Sequence, residues 1–161
     1  VRSPAELTEA FRQRGLKITP QRQCIFRILH GNERHPTAEA VYASATAEMP
    51  SISLRTVYQT LNDLAEMGEL RALDLGTGSA RFDPNVDDHH HLVCEGCGAV
   101  VDVYVETSSI EVPRSAAFTV SSVEVVFRGR CARCRGVPAT ERPSHPPSTH
   151  SAHQQGDSDH G

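Results

Sequence analysis

Cys94-Glu95-Gly96-Cys97 and Cys131-Ala132-Arg133-Cys134 each hold two thiols separated by two residues. That interval lets both sulfurs of a knuckle converge on one ion, and two knuckles complete the tetrahedral four-thiolate set of structural zinc. Gly96 and Gly98 supply the loose backbone that such a knuckle needs. Thirty-three residues separate Cys97 from Cys131, so the ion is expected to clip the edges of a small sheet rather than close one loop. The alternatives are a thioredoxin-like dithiol, which needs only one pair, and two disulfides, which need an oxidising compartment. The fifth cysteine, Cys24, lies in an apolar helical stretch and reads as core rather than as a redox group.

Asp83 and the run Asp87-Asp88-His89-His90-His91, with Asp102 downstream, make a second cluster. On an extended segment residues two apart point the same way, so His89 and His91 can share one ion while His90 faces elsewhere. Imidazole with carboxylate suits Fe(II), Mn(II) or Zn(II), in contrast to the thiolates nearby. The competing reading is a solvated loop of acids and histidines. Position favours a site, because the cluster falls at the junction of two expected domains, where an ion could fix the orientation of one against the other.

The elements that must carry these groups change character along the chain. Four helical patterns come first. Leu7, Ala10 and Phe11 form an apolar stripe ended by Gly15; Pro20 opens a second helix with Ile25, Ile28 and Leu29, before Gly31. A third starts at Thr37 with Ala38, Val41, Tyr42 and Ala45, and a fourth runs from Ser53 to Met67 with Val57, Leu61 and Leu64 on one face and Gly68 at its close. The period then shortens. Leu70 to Leu75 and Ala80 to Phe82 read as strands joined by Gly76-Thr77-Gly78-Ser79, and Leu92 to Cys94, Ala99 to Val105 and Phe118 to Phe127 read as further strands. Pro113 limits any helix before the last of these to a short one.

The fold class expected is therefore α+β: an N-terminal winged helix-turn-helix over 1–82, a hinge over 83–88, and a small metal-binding domain over 89–135. A generic helical domain with a hairpin is the alternative. In a winged helix the helix before the wing enters the major groove. Its exposed face here carries Arg55, Thr56, Tyr58, Gln59 and Asn62, groups able to reach phosphates and base edges. The second domain is too small to be stable on an apolar core alone, which gives a metal clip a physical purpose. Residues 136–161 are rich in Pro, Ser, His, Gln and Gly and are expected to be disordered. Their four histidines, His145, His150, His153 and His160, suggest weak metal scavenging or nothing beyond a solvated tail.

Composition sets bounds on these readings. The 161 residues are 38% hydrophobic and 22% charged, with net charge −4. That sum argues against nucleic-acid binding, but residues 1–30 carry Arg2, Arg12, Arg14, Lys17, Arg22 and Arg27 against Glu6 and Glu9. No apolar run approaches the roughly 20 residues that span a bilayer, and 1–11 lack a signal-peptide core, so a cytoplasmic location is expected.

Several stretches together resemble the ferric uptake regulator family. They are Gly15-Leu16-Lys17-Ile18-Thr19-Pro20-Gln21-Arg22, His35-Pro36-Thr37-Ala38, Thr56-Val57-Tyr58 and the run from His89 to Gly98, and the likeness extends from about residue 5 to 135. The resemblance implies a dimeric, cytoplasmic repressor, not an enzyme, that binds an inverted-repeat operator in double-stranded DNA, with 89–135 as its small C-terminal α/β dimerisation domain. It is strongest to the peroxide-sensing branch, which includes the catalase regulators. This implies a regulatory Fe(II) or Mn(II) held by His35, Asp83, His89, His91 and Asp102, with His35 and His89 the residues oxidised when peroxide meets bound iron. Asp83 points to that branch, since iron sensors typically have glutamate there. Val123 replaces a histidine that some relatives use in a further site, so that site is not carried over. Arg55, Thr56, Tyr58 and Gln59 are the expected groove contacts, with Arg14, Lys17 and Arg22 on the phosphates.

Three rival readings remain at this point. One is a family member that senses iron, zinc or nickel availability with no oxidation step. Another is a metallohydrolase using the His/Asp cluster, although nothing beside it reads as a general base. The third is a thiol switch at the cysteine knuckles.

Overall fold

The computed structural model describes residues 1–110 and 119–136. The expected disorder of the tail beyond Gly136 and the short helix limited by Pro113 lie outside the described residues.

Four helices form the N-terminal half: α1 (Pro4–Gln13), α2 (Pro20–Leu29), α3 (Ala38–Glu48) and α4 (Leu54–Glu66). Each starts at a hydroxyl. Ser3, Thr19, Thr37 and Ser53 stand in extended backbone, and each side chain accepts the N–H of the third helical residue, satisfying a donor that the helix itself cannot. Glu6 returns the favour to the Ser3 N–H in a capping box, and Pro4 and Pro20 occupy positions where no N–H is needed. Gly68, at φ +75°, takes the left-handed turn that lets the chain leave α4 for the wing.

Apolar stripes from all four helices meet in one core of Leu7, Phe11, Ile25, Phe26, Leu29, Val41, Val57, Leu61 and Leu64, with Phe82 from the wing packed beneath. Phe11 and Phe26 meet edge to face, centroids 4.9 Å apart. Cys24 is buried in this core with its Sγ 3.7 Å from Glu48, as expected of a core residue.

The wing is a hairpin of β1 (Arg71–Leu73) and β2 (Arg81–Asp83), with Leu73 opposite Arg81 and Arg71 opposite Asp83. The second sheet has the order β4-β3-β5: β3 (His90–Cys94) runs antiparallel to β4 (Val100–Val103) and parallel to β5 (Val126–Gly129). Helices first and small sheets after give the α+β architecture expected, with α4 preceding the wing. Among the described residues no helix is long and apolar enough to cross a membrane.

Several boundaries differ from expectation. The strand expected from Phe118 begins only at Val126, because the Val125 N–H is turned to the His90 ring instead of a ladder partner. β4 stops at Val103, since that residue faces His90, the first residue of β3. The wing strands are shorter because Asp74 caps the Gly76 N–H and starts the turn early. β2 continues through Asp83, one residue into the expected hinge.

Arg22 departs from its expected role on DNA phosphates. Its guanidinium stacks over the Phe11 ring at 5.0 Å and pairs with Asp63 of α4 at 2.5 Å. Only 15% of the Arg22 side chain and 10% of the Asp63 side chain are exposed, so this ion pair ties α2 to α4 inside the protein. Lys17 carbonyl and Gln59 amide complete it, at 3.1 and 2.8 Å. Removing one partner leaves the other charge buried and unpaired, which costs far more than a surface pair. We expect Arg22→Ala to lower unfolding stability by about 3 kcal/mol in urea titration; a midpoint and slope equal to the parent protein would contradict this placement.

Candidate metal centres

Five buried or half-buried side chains from four separate places converge at the foot of the wing. His35 precedes α3, Asp83 ends β2, His89 leads into β3, His91 lies on β3, and Asp102 lies on β4. One donor atom from each falls within 4.8 Å of all the others. Strand register explains part of this meeting. His91 is directly opposite Asp102, and opposed residues share a face. Phe82 N–H donates to the Pro36 carbonyl at 2.9 Å and draws the His35 loop against β2. His35 itself has φ +48°, a left-handed conformation uncommon for a residue with a Cβ, which is the kind of local strain found where a side chain must be aimed.

The pairing within the cluster is that of ligands, not of a hydrogen-bonded network. His89 Nδ1 lies 2.8 Å from the Asp87 carbonyl, so it donates there and leaves Nε2 as a bare lone pair. That lone pair sits 2.8 Å from Asp83 Oδ2 and 3.0 Å from His91 Nε2. His35 Nε2 and Asp102 Oδ1 are 2.7 Å apart, yet both are buried and neither has a hydrogen-bond partner. Acceptors this close and out of water need a cation between them, a proton or a metal ion. Burial raises the Asp83 pKa; a hydrogen bond from the His35 ring, the Asn85 N–H and the positive charge of the His35 and His89 rings when they carry protons outweigh it and hold the carboxyl below its ordinary value, and a metal ion would take the place of those ring protons. Asp83 is therefore an anion ready to bind. The donor set of three imidazoles and two carboxylates fits a divalent first-row metal.

The four expected cysteines also meet. Cys94, Cys97, Cys131 and Cys134 place their sulfurs within one coordination sphere, Cys97 and Cys131 lying 3.9 Å apart. Burial would raise the Cys94 thiol, but the backbone N–H groups of Cys131, Cys97 and Gly96 outweigh it and hold it at about 6. Burial and the surrounding sulfurs push Cys134 up to about 12. The Cys134 N–H and thiol also hold Cys131 below the ordinary thiol value, whereas burial pushes Cys97 up, so the full four-thiolate charge accumulates only with a cation present, as a zinc knuckle requires. Gly96 has a steric reason to be glycine: a Cβ there would lie 2.7 Å from Cys134 Cβ and 2.9 Å from its sulfur.

The candidate DNA residues form no such cluster. On α4, Arg55, Tyr58 and Gln59 are exposed and Thr56 is half-buried; Arg14 and Lys17 are exposed beyond α1. Tyr58 OH donates to Glu39 at 2.6 Å. Three groups at the metal centre were absent from the sequence reading as functional residues. Asn85 touches both aspartates, Glu124 Oε1 lies 3.2 Å from His91 Nδ1, and Arg81 donates to the Gly98 carbonyl at 2.9 Å and lies 3.4 Å from that of His35. Asn85 was legible only as part of the expected hinge, although Asn beside proline is a frequent side-chain bridge in turns; Glu124 and Arg81 gave no signal.

Comparison with known proteins agrees with this geometry. The ferric uptake regulator family model matches residues 13–128. The peroxide-responsive repressor PerR of Staphylococcus aureus is 36% identical over 133 residues, 81% of this chain and 90% of that protein. Among solved structures, the Campylobacter jejuni peroxide stress regulator is similar at TM-score 0.57 and 27% identity, covering 83% of this chain and all of that one. The Helicobacter pylori ferric uptake regulator Fur shares the fold at TM-score 0.69, with 20% identity over 81% of this chain and 90% of its own. The fold and its two metal centres are those of a winged-helix metalloregulator. The chain belongs to the ferric uptake regulator family.

Zinc at the four cysteines should be structural. We expect Cys94→Ser and Cys131→Ser to lose zinc and unfold the β4-β3-β5 sheet, and Gly96→Ala to keep the sheet but release zinc to a chelator sooner. Metal analysis with far-ultraviolet circular dichroism measures both. A fully folded, zinc-free Cys94→Ser protein would refute the structural role.

Proposed function

We propose that this protein is a cytoplasmic transcriptional repressor that binds an inverted-repeat operator as a homodimer, requires Fe(II) or Mn(II) at His35, Asp83, His89, His91 and Asp102, and is released from DNA when peroxide oxidises His35 or His89. The observation that carries this reading is the convergent set of five donors, with aspartate at both carboxylate positions. Similarity to the Staphylococcus aureus peroxide-responsive repressor and the Campylobacter jejuni peroxide stress regulator supports it. Bound Fe(II) supplies one-electron reduction of peroxide, which Mn(II) does not readily do. The chain's own part is to hold two imidazoles, His35 and His89, against that reaction while the other ligands keep the ion in place. An imidazole that gains oxygen is a poorer ligand, and loss of the metal removes what favours the DNA-competent arrangement.

The domain limits assigned above serve this function. The segment 1–82 would carry DNA contacts, with α4 in the major groove, Arg55, Thr56, Tyr58 and Gln59 toward bases or phosphates, and Arg14 and Lys17 on the backbone. Arg22 has no place in that set, being held by Asp63. Tyr58 would exchange Glu39 for a DNA partner. The dimer would form through 89–135, where Leu92, Val101 and Phe127 are cross-strand neighbours on one sheet face and 44%, 56% and 40% exposed. An apolar face of that kind on so small a sheet needs a partner.

Two outcomes check these statements. Leu92→Asp should convert the dimer to monomer in sedimentation and abolish operator binding with zinc content unchanged; a dimer that persists would place the interface elsewhere. Iron-loaded protein should leave its operator at micromolar-range peroxide, with one oxygen added to the peptide bearing His35 or His89, while manganese-loaded protein stays bound. Asp83→Glu should still bind metal and DNA but respond poorly. Oxygen on cysteines alone would favour the thiol switch. Metal-controlled binding with no peroxide response in either form would make this a sensor of metal availability.

A further inference from the structure

We propose that Asn85 is a positioning residue of the His/Asp centre: its side-chain amide holds one oxygen of Asp102 and leaves only the other to a divalent cation. Its backbone N–H donates to Asp83 Oδ1 at 2.8 Å. Its side-chain amide donates to Asp102 Oδ2 at 2.8 Å and to Tyr104 OH at 3.0 Å, while its own Oδ1 accepts the Asp87 N–H at 3.2 Å. The amide cannot be turned over, since ionised Asp102 offers only acceptors and the Asp87 N–H only a donor.

The Asp102 oxygen that Asn85 leaves is the one facing the imidazoles; at Asp83 both oxygens face them, Oδ1 lying 3.4 Å from His35 Nε2. Asp83 Oδ2 lies 2.8 Å from His89 Nε2 and 3.4 Å from His91 Nε2; Asp102 Oδ1 lies 2.7 Å from His35 Nε2 and 3.6 Å from His89 Nε2. A carboxylate can grip a metal through one oxygen or two. With Oδ2 of Asp102 held by the amide, this aspartate contributes a single donor atom, and the centre keeps one donor fewer than a chelating Asp102 would give. One turn residue thereby limits the coordination number, disfavouring ions such as Ca²⁺ that take six to eight oxygens. The inference rests on the cluster being a metal site.

Co(II) tests it in the full-length, zinc-loaded dimer, because its visible d–d absorption weakens as donor atoms are added. Asn85→Ser keeps the backbone N–H and a hydroxyl to accept from Asp87, but cannot reach Asp102. The variant should show a weaker d–d band and bind Co(II) roughly 10–100-fold less tightly in chelator competition, with zinc content and melting temperature unchanged. A band equal to the parent's overturns the proposal even if affinity falls, since a loosened loop would produce that result. His91→Ala separates the underlying reading: if the parent's Co(II) band survives that substitution, the cluster is not the metal site and the proposal falls with it.

Discussion

Five donors held in a space too small and too dry for their lone pairs govern the rest of this protein. Asp83 and His35 are each 1% exposed and His91 is fully buried, yet the polar atoms they turn toward one another are mostly acceptors. Such an arrangement is costly for a polypeptide alone and favourable around a cation, so the energy of holding an ion and the energy of bringing these segments together are one quantity. Because His35 comes from the helical half, Asp83 from the wing, and His89, His91 and Asp102 from the second sheet, anything that removes the ion weakens the junction between them. That is the physical content of a metalloregulator in this fold: the ligand acts where two parts meet, and affinity for the ion is linked to their arrangement.

Much of this was legible in the sequence, for reasons that differ by element. Helix starts were visible where Pro20, Thr37 and Ser53 combine a first-turn proline or a capping hydroxyl with an apolar period, and these signals are local. The cysteine knuckles were visible because a metal imposes its own spacing. His89 and His91 followed from strand alternation and Asp83 and Asp102 from their place beside that run, whereas His35 came only through family resemblance, since no local pattern brings so distant a residue in. Strand ends were misjudged because a strand lasts only as long as its partner, as Val103 opposite His90 shows. Arg22 was misassigned because charge counts do not reveal that Asp63 and the face of Phe11 stand across from it.

The two metal centres share one strand, and that sharing assigns the zinc a second task. β3 carries His91 toward its middle and Cys94 at its end. Around Cys94 the backbone is pinned from both sides: Glu95 N–H donates to the Gly129 carbonyl at 2.8 Å, Cys94 N–H to the Ala99 carbonyl at 2.8 Å, and Cys131 N–H approaches the Cys94 sulfur at 3.3 Å. Sheets this short have little else to fix their register, because the apolar core beneath them is only Leu73, Leu75, Val93 and Val100. A slip of one residue would turn His91 to the outer face and bring Leu92 into the cluster, since side-chain direction alternates along a strand. By joining the end of β3 to the segment after β5, the thiolate clip resists that slip and keeps His91 opposite Asp102. Arg81 adds a second brace, with its guanidinium between the Gly98 carbonyl of the knuckle and the His35 carbonyl of the other centre. The cysteine site is thus tied to the His/Asp site through β3 and Arg81, without sharing a ligand with it.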